Sequence, residues 1–550
     1  MVSDPRRPIS AKSAKAGVGG LVKGFLQHPV IVSRVVYAKV KSDPVRVAQA
    51  AADALPPRLR PIVGKVAWPA ARGARRLVRK VGMRMIQAPW NEAKELWEKG
   101  RVTEAAKVLD PHAKYPFVKR RAQYYRGELA AISPDPIPPG PKVAVGDRVK
   151  GRVLHLVTNA LPYTQAGYTV RTHRIVTSQQ AKGLDPHVVT SWGWPMMQGH
   201  AMAEPYEEID GIPYHRLLPG GGDVPFEMRG RIVRGAEDVT KLVASLRPQV
   251  LHAATDHRNG SVAHAVRDRT GTPFVYEVRG FLEETWASRD PDRVGSERHV
   301  LQRDREAFLM READAVVTLA ETMAVEIVER GVPREKIYLA PNAVDDSLLT
   351  AEYDGEAFRR QMGIVPTDIV VGSVSSIVAY EGFATLLHAA ALMRDQGTPI
   401  KVLIVGDGAE RENLLAIVDE LKLDALLPGR VGPEEALQAQ AAIDIFACPR
   451  EDLRVCRLVT PLKPVEAMAL GKPVVLSDLP ALSELVGSDG AGALVRPGDP
   501  AELAKALAEL REDPARRAEM GQAGKAEVAA KRTWGRVAET YRGLYESLAI

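Results

Sequence analysis

The chain predicts an α/β protein: two tandem Rossmann-like, parallel-sheet domains facing across a cleft, behind a basic and partly helical N-terminal extension. Three observations carry this. From Gly151 onward, short apolar strands alternate with helices and are bounded by Pro and Gly, the pattern of a parallel sheet covered on both faces. The alternation runs through two successive sets that part near Pro341 and Asn342. A chain of 550 residues is also too long for a single core.

The extension comes first. Residues 1–90 hold 18 Lys and Arg against Asp4, Asp43 and Asp53, while the other 460 residues hold 57 Lys and Arg against 65 Asp and Glu. The net charge of +7 is therefore a property of the arm. Two amphipathic helices are expected within it, at 30–40 and 70–85. In the second, Arg72, Arg75, Arg76, Arg79 and Lys80 surround Leu77, Val78, Val81 and Met85, a pattern suited to an anionic membrane surface. A solvated basic linker is the plain alternative. Aromatic residues are not interleaved with the arginines as base-stacking platforms, which argues against nucleic acid as a partner.

No apolar run approaches the roughly 20 residues of a membrane span, and residues 1–23 lack a signal-peptide core. The two cysteines, Cys448 and Cys456, exclude a disulfide framework and a structural zinc site. The expected location is the cytosol, with the arm as a peripheral contact to the inner face of the cell membrane.

Residues 91–141 read as a helical adaptor and linker. Helices are expected at 91–99, 102–110 and 117–132, with Gly100 at the first turn and Ala105 and Ala106 allowing close packing. The hairpin is similar to a tetratricopeptide turn, but one partial repeat cannot form a solenoid, so it is expected to cap the next domain. PDPIPPGP at 134–141 is a stiff boundary.

The first α/β domain spans 151–342, with strands at 152–158, 186–191, 250–252, 273–278 and 315–318. Its helices fall at 168–182, 231–246, 260–270, 298–313 and 321–329. The second spans 343–532, with strands at 369–374, 401–405, 425–429, 443–447, 473–477 and 492–495. Its helices fall at 383–394, 411–421, 433–441, 464–470, 480–486, 501–509 and 515–530. An amphipathic helix closes the chain over 533–550.

Residues 448–486 carry the strongest chemical signal. An arginine-rich loop follows an apolar strand and leads into a helix bearing Glu466. A helix amino terminus presents unpaired N–H groups and about half a positive charge, so it favours an anion. Arg454, Arg457 and Lys463 add to that field, and a phosphorylated ligand is expected there. Gly406-Asp407-Gly408 closes the second strand of the same domain; such turns also serve packing alone.

These segments resemble a known family. VLIVGDGAERENL, EAMALGKPVV and LVRPGDPAELAKALAEL, with LPYTQAGYTVRTHRI and PFVYEVRGFLEETWAS in the first domain, are similar to glycosyltransferase family 4 of the GT-B fold. The resemblance covers residues 151–550. It implies a retaining, metal-independent transfer of a hexosyl group from a nucleotide diphosphate-sugar to a cell-envelope glycan, polysaccharide or glycolipid acceptor, lipid-linked acceptors included. A GT-B epimerase, or a catalytically degenerate subunit acting as a scaffold, stays open beside it.

The resemblance also implies site residues. In the family's E-x7-E pair, Glu466 matches the second carboxylate, expected at the ribose hydroxyls, while Leu458 stands where the first belongs. The family's phosphate-clamping Arg and Lys are replaced by Ser375 and Glu381. Arg457 and Lys463 are therefore expected to take over the clamp with Arg454 assisting, since protein cations must neutralise the departing diphosphate. Gly167 matches the glycine loop beside the donor phosphates, where Arg171 and Arg174 face the cleft or form exposed helix charge. Arg279 replaces a frequent His; a guanidinium cannot act as a base near neutral pH, so it is expected to contact diphosphate or sugar. His252, His257 and Asn259 are candidates for the acceptor pocket. Gly406 and Gly408 border the donor.

Overall fold

The computed structural model describes residues 83–548 apart from 134–136, 139, 201–202, 220–223 and 488–489. The helix expected at 30–40, and residues 70–82 of the one expected at 70–85, lie outside the described residues. The chain forms two compact units. One comprises residues up to Val278, Arg289–Val316 and Tyr545–Ile550; the other comprises Arg279–Ser288 and Val317–Leu544.

The first sheet has eight strands, β1 (Val149–Val157), β2 (Asp185–Thr190), β3 (Tyr206–Ile209), β4 (Ile212–Arg216), β5 (Pro248–Ala254), β6 (Phe274–Val278), β7 (Ala315–Thr318) and β8 (Ile337–Leu339). Their order is β3-β4-β2-β1-β5-β6-β7-β8. β1 pairs in parallel with β2 and β5, and β2 pairs in parallel with β4. The antiparallel β3–β4 hairpin was not expected from the strand pattern. Its turn, Asp210-Gly211, has φ of 50° and 78°, and Asp-Gly is a strong hairpin signal because both central positions need positive φ.

The second sheet contains β9 (Val370–Val374), β10 (Lys401–Val405), β11 (Ala425–Gly429), β12 (Ile445–Cys448), β13 (Val474–Ser477) and β14 (Ala493–Val495), in the order β11-β10-β9-β12-β13-β14. Alternate side chains divide its core between two faces, as a period of two requires. Val370, Leu403, Phe446 and Val474 pack on one face; Val371, Val402, Ile445 and Val475 pack on the other. Burial on both faces is why these strands read as continuous apolar runs.

Several boundaries differ from the expected ones. β12 runs to Cys448, which places that thiol in the strand. The helix expected from 260 begins at His257, because Asp256 caps it by accepting the Arg258 N–H at 3.0 Å. Short helices at Leu282–Ala287, Gly355–Gln361 and Arg454–Leu458 escaped periodicity, being at most two turns long.

The adaptor helices are Met83–Glu98, Val102–Leu109 and Pro116–Ile132. They share a core of Ala93, Leu96, Ala105, Ala106, Leu109, Val118, Ala122 and Tyr125, with Trp97 stacked on Tyr125 at 4.6 Å. Gly100, with φ 79°, makes the first turn. The adaptor is bonded to the helix Glu297–Glu312: Glu297 accepts from the Thr103 N–H at 2.7 Å, and Arg298 N–H donates to the Gly100 carbonyl at 3.0 Å. None of the described helices is long and apolar enough to cross a membrane.

Candidate functional site

In the second sheet the strand order reverses between β9 and β12, and in such sheets ligands bind outside the carboxyl ends at that point. Four loops meet there, after β9, β10, β12 and β13. Backbone bonds lock the first three together: Ser375 N–H donates to Val405 O, Ile377 N–H to Asp407 O and Glu451 N–H to Tyr380 O, at 2.9 to 3.0 Å. Gly406 has φ 147°, and a Cβ there would lie 1.8 Å from the Ser375 carbonyl oxygen; one on Gly408 would lie 2.0 Å from that of Ile377. Both glycines thus let the β10 loop touch the β9 loop, which shapes the site whatever it binds.

Each cation of the β12 loop has a carboxylate partner. Arg450 donates to Glu381 from Nη2 at 2.6 Å and from Nε at 3.2 Å, and both residues are nearly buried. Burial disfavours the Arg450 charge, but Glu381 more than offsets this, so the guanidinium pKa lies above its ordinary value. Arg454, the first residue of the helix Arg454–Leu458, donates to Glu284 at 3.0 Å and to Glu326 at 2.6 Å. Arg457 makes a two-pronged pair with Asp452 at 2.5 and 2.6 Å, with both side chains about half exposed. Asp452 is held below the usual carboxylate range by that bond.

Lys463 opens the helix Lys463–Ala469 and reaches Glu466, one turn on, at 2.9 Å. Leu458 is buried at the end of the short helix, so no polar group stands there. Ser375 and Arg279 are half-buried. Cys448 and Cys456 are buried thiols whose pKa values burial pushes up to about 12 and about 11, so neither is a thiolate near neutral pH.

In the first sheet the order reverses between β1 and β5. Gly167 opens the helix Gly167–Ala181 on the exposed side of the β1 loop, and a Cβ there would touch no protein atom. Arg171 is no exposed helix charge: it is buried and donates to Glu277 at 3.0 Å. Glu277 also meets His252 Nε2 at 3.1 Å, His252 Nδ1 meets the Tyr545 hydroxyl at 2.8 Å, and Gln179 joins Tyr545 to His155. His252 is wholly buried within this wiring. Asn259, also buried, bonds Thr158, Ala254 O and Ser191. Arg174 is half-buried.

The structure thus sets Arg454, Arg457 and Leu458 in one short helix and Lys463 and Glu466 in the next, with Gly406 and Gly408 in the loop after β10. Sequence reasoning missed the Arg450–Glu381 pair and the carboxylates Glu284 and Glu326. A signal existed for the first: an acidic residue in a cationic position beside a surplus arginine. Among the described residues, no group of three or more His, Cys, Asp or Glu is arranged to hold a metal ion.

Comparison with known proteins agrees with this division of the chain. The family model "Glycosyl transferase 4-like domain" matches residues 166–343, and "Glycosyl transferases group 1" matches residues 354–527. The D-inositol 3-phosphate glycosyltransferase of Nocardia farcinica is 31% identical over 306 residues, which is 52% of this chain and 64% of that protein. The chain spans between 55% and 64% of the length of this and two further relatives. Two solved structures share the fold. Sucrose-phosphate synthase of Thermosynechococcus elongatus aligns with a TM-score of 0.58 at 20% identity, covering 72% of this chain and 99% of that one. Anabaena HepE in complex with UDP and glucose aligns at 0.56 and 19% identity, with the same coverage.

Proposed function

We propose that this chain, a member of the family 4 glycosyl transferases with the GT-B fold, moves a hexosyl group from a nucleoside diphosphate sugar to a cell-envelope glycan, polysaccharide or glycolipid acceptor. The observation that carries this reading is the pair of exchangeable ion pairs at the strand-order reversal, Arg457–Asp452 and Lys463–Glu466. An exposed pair such as Arg457–Asp452 is worth only about 0–1 kcal/mol, so an arriving diphosphate can take over that cation cheaply, and Lys463, itself partly exposed, can turn to it as well. Glu466, released from Lys463, then accepts from the two ribose hydroxyls.

In the transfer the sugar C1–oxygen bond to the diphosphate breaks and a bond from C1 to the acceptor oxygen forms. The acceptor's proton passes to the departing phosphate oxygen on the same face, so configuration is retained and no protein base is needed. The two cations, with Arg279, stabilise the charge on the leaving group; no metal is assigned a part. Gly167, where a Cβ would meet no protein atom, is assigned to the loop beside the donor phosphates. The basic arm, residues 1–90, suits attachment to anionic lipid at the inner membrane face.

The test is thermal shift with UDP and with GDP. A ligand at 100 times its dissociation constant stabilises by about 2.7 kcal/mol. Arg457→Ala and Lys463→Ala should each weaken binding at least tenfold; wild-type affinity in both variants would end the clamp assignment. A second reading, a catalytically silent subunit, draws on Leu458 and Glu381. Nucleotide binding without turnover of any of a panel of nucleotide sugars would favour it.

A further inference from the structure

Arg454 stands in the sequence as one more phosphate cation, yet its surroundings give it another task. We propose that Glu284 and Glu326 are positioning residues which, through Arg454, hold the loop that presents Arg457 and Lys463, and that Arg454 itself lends no charge to the diphosphate. This rests on the nucleotide-sugar reading above.

Arg454 belongs to a network of charged groups inside the second unit. Glu326 uses both oxygens, Oε2 to Arg454 Nη2 at 2.6 Å and Oε1 to Arg330 Nε at 2.9 Å. Arg330 also reaches Glu283 at 2.8 Å and lies over the Phe281 ring at 4.2 Å. Glu284 completes the set at Arg454 Nε. All three carboxylates are 5% exposed or less.

Its geometry joins three pieces of chain: the helix Leu282–Ala287, the helix Glu321–Glu329 and the helix Arg454–Leu458. The middle piece is itself anchored, because Glu484 accepts from the N–H groups of Glu321 at 2.8 Å and Thr322 at 3.1 Å. The last piece has five residues, too few to hold a helix by its own hydrogen bonds. A tether at its first residue sets where Arg457, one turn later, can stand. The contrast with Arg457 is plain. Its partner Asp452 is half exposed and yields, whereas Arg454, itself half exposed, is fixed at Nε and Nη2 by two buried carboxylates that offset its charge and set its direction.

The two assignments of Arg454 predict opposite signs. If it were a phosphate ligand, neutralising Glu284 would free it and tighten nucleotide binding. As a tether, the same change loosens the loop and weakens binding. Calorimetry with UDP and with GDP, at low and high salt, on Glu284→Gln, Glu326→Gln, Arg454→Gln and the double variant of Glu284 and Arg454, reads this directly. The expected result is a loss of about five- to tenfold in each single variant, from misplacement of the clamp. The double should lose no more than the worse single, and salt dependence should stay as in the wild type. Tighter binding by Glu284→Gln, additive losses, a flatter salt dependence in Arg454→Gln, or a lowered melting temperature with unchanged affinity would each overturn the proposal. Should Glu326→Gln fail to fold, the Glu284 and Arg454 variants carry the test, because the Arg454 side chain is half exposed. A wild type that binds neither UDP nor GDP would overturn the nucleotide-sugar reading, and this role with it.

Discussion

In the first unit a buried run of hydrogen bonds links Arg171 through Glu277, His252 and Tyr545 to Gln179 and His155. The second unit holds cations whose carboxylate partners are buried, Arg450–Glu381 and Arg454–Glu326, next to Arg457–Asp452, where both side chains are about half exposed, and Lys463–Glu466, which is partly buried. The difference teaches that a basic residue's meaning lies in the burial of its partner. A buried partner makes a cation structural, since breaking the pair strands a desolvated charge. An exposed partner leaves the cation available, since water and salt already weaken the pair.

The largest effect that would sharpen this contrast is Arg450→Ala. It leaves Glu381 buried without its partner, and urea unfolding should register a loss of about 3–5 kcal/mol. A loss below about 1 kcal/mol would place that pair among the exchangeable ones.

Next comes pH, and it concerns the first unit. His215 pairs with His187 at 3.1 Å, and burial with the neighbouring His187 lowers its pKa to about 4. The His187 pKa is lowered too, by burial. A folded-state pKa below the unfolded value of about 6.5 means that the unfolded chain binds protons first as pH falls. The contribution of His215 is therefore complete above pH 6.5 and lost progressively toward pH 4, by up to roughly 3 kcal/mol. His215→Gln should flatten that slope in unfolding measurements between pH 7 and 4; an unchanged slope would show that the pair titrates normally.

A smaller effect belongs to Tyr545→Phe, which leaves His252 and Gln179 each short of one bond. About 1–3 kcal/mol of stability should go, with nucleotide affinity intact. Smallest in stability is Arg457→Ala, within about 0.5 kcal/mol of wild type in the same unfolding assay. Its nucleotide binding should nevertheless fall, so that stability and affinity separate there and not at Arg450.

Much of the fold was legible in the sequence because burial on both faces writes a parallel strand as an apolar run. The expected strands at 401–405, 425–429 and 315–318 coincide with β10, β11 and β7. Local signals that need no periodicity were harder to weigh, so the Asp210-Gly211 hairpin and the five-residue helix at Arg454 went unread. For the site, residue type and spacing sufficed to nominate Lys463, Glu466 and the arginines of the β12 loop, since all lie within one short stretch of chain.

Pairing could not be read that way. Glu381 is 69 residues from Arg450, Glu326 is 128 from Arg454, and Tyr545 is 293 from His252. By itself the sequence determined the alternation of strands and helices, the two α/β units and the stretch rich in cations, because local patterning and chain order encode these. Only the tertiary structure decided which cations are neutralised in the interior and which remain exchangeable. That choice depends on desolvation and on carboxylates delivered from distant segments, and neither is written in the neighbourhood of an arginine.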